Sequence, residues 1–172
     1  MTLQTGMQQV ERFKTKLSRS INRDYLLYLP KDYNPEQSER WPFILFLHGA
    51  GERGNNVERL KLQGLAKKLE HEPDFPFVVV SPQCSVNASW SADILNKVLD
   101  EVVDTYNIDT DIIYVTGLSM GGFGPWYLAM AYPHRFAAIA PVCGGGDPDR
   151  VCVLKDLPIW TFHGAKDTVV PI

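Results

Sequence analysis

Apolar residues in this chain fall into short unbroken runs separated by polar, turn-forming stretches. The clearest run is "PFILFLH" (residues 42–48), bounded by turn residues on both sides. A continuous run of this kind suits a strand covered on both faces, as parallel sheets provide. "FPFVVVSPQ" (75–83), "DIIYVTG" (111–117), "FAAIAPVCG" (136–144) and "LPIWTFHG" (157–164) predict further strands. Between them the period lengthens. In "SADILNKVLDEVVDTYNID", residues Ile94, Leu95, Val98, Leu99, Val102, Val103 and Tyr106 line one helical face. Ser91 is the expected N-cap, and Asp93 sits in the first turn, where the helix dipole favours an anion. Residues 55–70 also read as a helix, although Gly64 weakens the pattern, and "MGGFGPWYLAMAY" (120–132) reads as another. Ahead of these, "VERFKTKLSRSINRDYLLYLP" (10–30) predicts two short strands around a polar turn, with residues 1–10 expected to be flexible.

Strands alternating with helices predict an α/β fold: a mostly parallel sheet preceded by an antiparallel strand pair. Ligands of such sheets bind beyond the carboxyl ends of the strands, so chemistry is expected in the residues directly after each run.

Composition narrows the classes. A chain of 172 residues fits one domain with a sizeable core. Its net charge of −3 gives no reason to expect nucleic acid or an anionic membrane as partner. "MTLQTGMQQV" lacks the apolar core of a signal peptide, and no run approaches bilayer-spanning length, so a cytoplasmic location is expected. Three cysteines are an odd count. Cys143 and Cys152 flank a Gly/Asp/Pro-rich loop and could bridge, but free thiols fit that compartment better. None of the four histidines shares a metal-ligand spacing with the cysteines, so neither metal nor cofactor is expected.

Two strand ends carry glycine motifs that point to different chemistry. "GAGERG" (49–54) matches the G-x-G-x-x-G of a dinucleotide cradle. That oxidoreductase reading needs an acid at the tip of the next strand, where Ser81, Pro82 and Gln83 stand instead. "GLSMG" (117–121) is G-x-S-x-G between a predicted strand and helix, the context in which Ser119 becomes an exposed nucleophile on a strained turn. Gly117 and Gly121 remove side chains that would strike neighbouring backbone.

With Ser119 as nucleophile, the first motif finds a different use. An oxyanion hole takes one N–H from the residue after the nucleophile, Met120, and another from the loop after an earlier strand. Ala50 is the expected second donor, with Gly51 next. His48 is then assigned to positioning that loop. Glu52, Arg53 and Asn55 either bind substrate or brace the loop. Asp167 follows "PIWTFHG" where a triad acid is expected, and Asp147, after "FAAIAPVCG", is the alternative. His163 is expected to pack or hydrogen-bond locally. Trp90, Phe123 and Trp160 are candidates for lining a substrate site.

Together "LHGAGERG", "YVTGLSMGGFGPWYLA", "YPHRFAAIAPVCGGGD" and "PIWTFHGAKDTVVP" resemble the carboxylesterases of the α/β-hydrolase superfamily. The similarity is to the polyhydroxybutyrate-depolymerase-like and phospholipase/carboxylesterase-type esterases, and it runs from about Tyr25 to the last residue. It implies Ser119 as nucleophile, Asp167 as acid and the Ala50 and Met120 amides as oxyanion hole, in a serine carboxylesterase without cofactor. The family's order is Ser, Asp, His, and no histidine follows Asp167 here. A final helix, strand and closing helix are likewise absent from the pattern. The 172 residues are therefore expected to be a C-terminally incomplete single domain, weakly active or inactive alone. An open edge at "PIWTFHG" is expected to invite self-association or docking of a separate C-terminal segment. Only about a dozen residues separate "FAAIAPVCG" from "LPIW", leaving no room for a cap and predicting an open site for short or accessible esters. A non-catalytic binding module of the same fold is the alternative.

Overall fold

The continuous apolar runs become the inner strands of one six-stranded sheet. The structure, a computed structural model, describes residues 4–16 and 20–172. Its strands are β1 (Met7–Lys16), β2 (Ser20–Leu29), β3 (Trp41–Leu47), β4 (Val78–Pro82), β5 (Ile108–Leu118) and β6 (Ala138–Val142). They lie in the order β1-β2-β4-β3-β5-β6. β3 runs parallel to β4 and β5, and β5 parallel to β6, while β2 is antiparallel to both β1 and β4. The mostly parallel sheet with an antiparallel N-terminal pair is as the sequence predicts.

Helices cover the two faces unequally. Phe43, Leu45 and Leu47 of β3 point to the larger core, which α2 (Ala92–Thr105) and α3 (Met120–Ala131) close with Leu95, Val98, Leu99, Val102, Leu128 and Ala129. Each Phe, Leu or Val among them contributes about 1.5–3 kcal/mol when fully buried. Ile44 and Phe46 point the other way, to a smaller core under Leu60, Ala66 and Leu69. This second cover does not reach β5 and β6. There Tyr114, Thr116, Ala138 and Ala140 line an open apolar groove of about 680 Å³, together with Ile44 and Trp160.

Several local expectations change. β1 starts at Met7, inside the stretch 1–10 expected to be flexible, because Gln8 is buried and donates to the Ala66 carbonyl at 2.8 Å and to Glu70 at 2.6 Å. Residues 55–70 are not one helix. A 3-10 segment (Val57–Leu62) is followed by a short α1 (Gly64–Leu69), with Gly64 at φ +59 between them. α2 is capped at Ser91, but without a side-chain hydrogen bond, and Asp93 instead accepts from the Tyr132 hydroxyl at 2.8 Å.

Residues 158–163 lie beside β6 but touch it in two separate places, pairing Ile139 with Ile159 and Val142 with Phe162. The cause is Pro141. The Ile139 amide donates to the Pro158 carbonyl (3.1 Å) and the Cys143 amide to that of Phe162 (2.8 Å), whereas Pro141 between them has no N–H to give. The ladder is one bond short there, although the Trp160 amide donates to the Ile139 carbonyl (3.0 Å) and the Phe162 amide to that of Pro141 (3.0 Å).

Gly64→Ala tests the break in the 55–70 segment. A Cβ there would stand in the left-handed region and run into the Phe46 ring. We expect a loss of about 2–4 kcal/mol, read as a fall in the urea unfolding midpoint at unchanged m-value.

Candidate active site

β5 ends at Leu118 and α3 starts at Met120, so Ser119 alone makes the turn between them, at φ 58 and ψ −120. A non-glycine residue held there is strained, and the surroundings must hold it. They do so through two hydrogen bonds: the Ser119 amide donates to the Val142 carbonyl (2.9 Å) and the Gly122 amide to the Ser119 carbonyl (2.7 Å). The flanking glycines allow the approach. A Cβ on Gly117 would strike the Gly121 and Leu47 carbonyl oxygens, and one on Gly121 those of Leu47 and His48. Met120 is the first residue of α3, so its N–H belongs to the group that a helix start leaves without an intrahelical acceptor.

The loop after β3 lies against this turn. The direction in which Gly49 would carry a side chain points at the Leu118 carbonyl (3.4 Å) and Ser119 Cβ (3.8 Å). Ala50–Glu52 form a single 3-10 turn whose first residue, Ala50, again presents a first-turn N–H. Two small-residue helix starts thus meet beside one serine. No α-helix follows "GAGERG" directly, so the extended helix N-terminus that a dinucleotide cradle needs is not built there.

His48 is 2% exposed and occupied at both nitrogens. The Cys84 amide donates to Nε2 at 2.9 Å, so Nε2 carries no proton and Nδ1–H donates to the Gly49 carbonyl at 2.6 Å. Burial is the main cause holding its pKa below the ordinary 6.5; the Gly49 bond and Glu52 push the other way, and Arg53 lowers it further. Trp90 packs edge-on against the ring (4.9 Å between centroids) and donates Nε1–H to the His48 carbonyl at 3.2 Å. Trp90 therefore buttresses the loop.

Asp167 sits in a turn that closes on itself. Its Oδ1 accepts from the amides of Val169 (2.9 Å) and Val170 (3.0 Å), and its own amide donates to Gly164 (3.0 Å). These amides, Val170 first and Val169 second, hold its pKa below the ordinary carboxylate value, with smaller help from His163 and the Cys143 thiol. His163 donates from Nε2 to the Val170 carbonyl at 2.7 Å and stands 3.7 Å from Asp167 Oδ2. Cys143 follows the carbonyl that receives the Ser119 amide, so Asp167 is one residue removed from the elbow's own anchor. Sequence reasoning did not single out this role for Cys143; its φ of +50 appears only in the folded chain. Asp147, the alternative acid, caps its own turn by accepting the Asp149 amide at 3.0 Å.

Two other expected residues part company. Phe123 is half-buried in the first turn of α3, next to Gly145. Trp160 is 73% exposed, stacked with Phe162 in the open groove on the sheet face rather than at the strand ends. Cys143 and Cys152 are free thiols.

The protein family described as "Putative esterase" matches residues 18–166. The chain belongs to this esterase family. Its backbone follows that of a solved thermostable esterase with a TM-score of 0.74 and 37% identity, over 94% of this chain and 48% of that one. A feruloyl esterase module from Clostridium thermocellum shares the fold alone, at a TM-score of 0.71 and 15% identity. Among sequence relatives are the bifunctional acetylxylan esterase/xylanase XynS20E of Neocallimastix patriciarum, 26% identical over 90% of this chain, and feruloyl esterase C of Emericella nidulans, 26% identical over 99%. The chain spans 23% of the first of these relatives and 61% of the second. The architecture is thus that of the α/β-hydrolase esterases. Among the described residues, no helix is long and apolar enough to cross a membrane.

The occupied nitrogens of His48 make stability depend on pH. Protonating Nε2 would set two donors, its N–H and that of Cys84, against each other. The folded pKa is lowered, so below about 6.5 the unfolded chain takes up the proton first and stability falls with pH. We expect the urea midpoint to drop between pH 7 and pH 5, and His48→Gln, less stable at pH 7, to drop less over the same range. The low pKa of Asp167 acts in the same direction, but only below its ordinary 3.8.

Proposed function

We propose that the protein is a serine esterase in which Ser119 is the nucleophile, the Ala50 and Met120 amides form the oxyanion hole and Asp167 is the triad acid. The observation that carries this reading is the elbow: a strained serine between two glycines whose missing side chains let three strand ends converge on it. Ser119 Oγ attacks the ester carbonyl carbon and gives its proton to an imidazole. The oxyanion that forms accepts the two first-turn amides, each such donor being worth about 2.7–4 kcal/mol in the transition state. The C–O bond then breaks, the imidazolium returns the proton to the departing alkoxide, and water activated by the same imidazole releases the acid. Asp167 Oδ1 is already bound by two amides, leaving Oδ2 to hold that imidazole in the right tautomer.

In this proposal the imidazole comes from outside these 172 residues. His48 has both nitrogens engaged and His163 is tied to Val170. His71 follows α1 and His134 follows α3, which puts both where chains return to the start of β4 and β6, the opposite rim from Ser119. Loss of the imidazole alone costs such a triad on the order of 10⁶ in kcat.

For the substrate we propose an ester of a short acyl group, or one carried accessibly on a larger alcohol. The segment between β6 and residue 158 is a short loop with a 3-10 turn at Val151–Leu154, and no lid stands there. The names of the acetylxylan and feruloyl esterase relatives agree with that substrate class.

Exogenous imidazole tests the mechanism directly. Intact mass after a fluorophosphonate probe should show one slow adduct whose rate rises with imidazole concentration and which is lost in Ser119→Ala. Fast labelling without imidazole would place the base within the 172 residues. Absence of labelling at every imidazole concentration would remove Ser119 as nucleophile. Under the same conditions acetate esters should be cleaved in preference to long-chain esters; the reverse order would overturn the substrate class.

A further inference from the structure

Four successive carbonyl groups in the loop after β3 each accept a hydrogen bond from a side chain. His48 Nδ1 binds the Gly49 carbonyl (2.6 Å) and Arg53 Nε the Ala50 carbonyl (3.1 Å). Arg59 Nη2 binds that of Gly51 (2.7 Å), and Gln83 Nε2 that of Glu52 (2.5 Å). A peptide unit is a rigid plane, so fixing the carbonyl of one residue fixes the amide of the next. His48 thereby aims the Ala50 N–H, and Arg53 aims the Gly51 N–H. Arg59 and Gln83 hold the two following planes, so the turn cannot rotate as a body. Left to themselves these planes would be poorly determined, since Ala50, Gly51 and Gly54 offer little side chain to pack and only a three-residue 3-10 turn joins them.

The two arginines differ from the other two partners in reach and in charge. Arg53 spans from the Ala50 carbonyl to that of Ala88 (3.2 Å), tying the loop to the segment before α2. Arg59 reaches back from the 3-10 segment Val57–Leu62 across eight residues. Bonds from a guanidinium are the stronger, charge-assisted kind. The positive charge of Arg53 is felt at His48, where it helps to hold the pKa down. Glu52, whose carboxylate comes close to Gly49, acts on His48 in the opposite direction to Arg53.

We propose that Arg53 and Arg59 are positioning residues for the oxyanion hole: by holding the Ala50 and Gly51 carbonyls they fix the two peptide planes that follow the Ala50 N–H, which His48 aims, and so keep the turn that carries this donor from rotating. The inference rests on the assignment of Ser119 and the oxyanion amides above, and it adds two side chains that touch neither substrate nor nucleophile. Arg59 is exposed and Arg53 half-buried, and neither belongs to the buried core.

The test measures fluorophosphonate labelling of Ser119 and p-nitrophenyl acetate hydrolysis, both in imidazole and corrected for imidazole alone, in Arg53→Gln, Arg59→Gln, Arg53→Lys and Arg59→Lys. Misplacing a reacting group by about 1 Å costs up to about 10²-fold, so we expect the Gln variants to lose about 10- to 100-fold in kcat and in labelling rate at unchanged KM. The Lys variants, which keep the charge and one donor, should recover part of that loss. Circular dichroism and the urea midpoint show whether each variant is folded, and ¹⁵N relaxation of the Ala50 and Gly51 amides should report increased motion in the Gln variants. Labelling as fast in both Gln variants as in the parent chain would overturn this inference and leave the esterase reading standing, as would a loss confined to KM. Labelling absent from the parent chain itself would overturn the esterase reading, and this inference with it.

Discussion

The structure depends on one close approach: the backbone of Gly121 against the carbonyls of Leu47 and His48. Three parallel strands deliver their carboxyl ends to this point, β3 through Leu47, β5 through Leu118 and β6 through Val142. Any side chain on Gly121 would push α3 away from β3, and the helix start would no longer stand over the strand ends. The strain at Ser119 is held because the helix can come this close. The loop after β3 lies against the serine for the same reason, since its starting point is the strand that Gly121 contacts.

Much of this was legible in the sequence, and the boundary has physical causes. Continuous apolar runs with turn residues at both ends are local signals, and they located the inner strands and α2. The G-x-S-x-G spacing is also local, and the serine and its glycines stand where the spacing puts them. Information carried by contacts between distant residues was not legible. Gly64 breaks the 55–70 segment because the Phe46 ring occupies the space a side chain would need, and nothing near Gly64 announces Phe46. Trp160 was considered for the substrate site, but the face it points to is set by pairing with β6, and one step of register reverses it. The gap that Pro141 leaves was open to inspection, because a proline in a paired strand always lacks its donor.

The same distinction separates the two halves of the site. The glycines that shape the elbow flank Ser119 within two residues, whereas the loop opposite is held by side chains up to 42 residues away in the chain. His48 illustrates the difference. Its position before the glycines suggested a loop role, but its tautomer is dictated by the Cys84 amide at the end of β4. Arg53 read in the sequence as binding substrate or bracing the loop and Arg59 was not singled out, and only the path of the folded loop brings both onto its carbonyls.

The interrupted ladder at Pro141 has a consequence for how the molecule comes apart. Residues 158–163 are fastened to β6 by four backbone bonds, with the one that Pro141 cannot donate missing from the series, and the Asp167 turn follows their far end. Segments with few paired backbone groups open at a fraction of the global unfolding free energy. Paired on one side only and one bond short, the edge segment is expected to open before α3 and the strands under it. Ser119, anchored to Val142, and Asp167, carried beyond the edge segment, are therefore expected to part at an early stage of unfolding, while the elbow itself still stands.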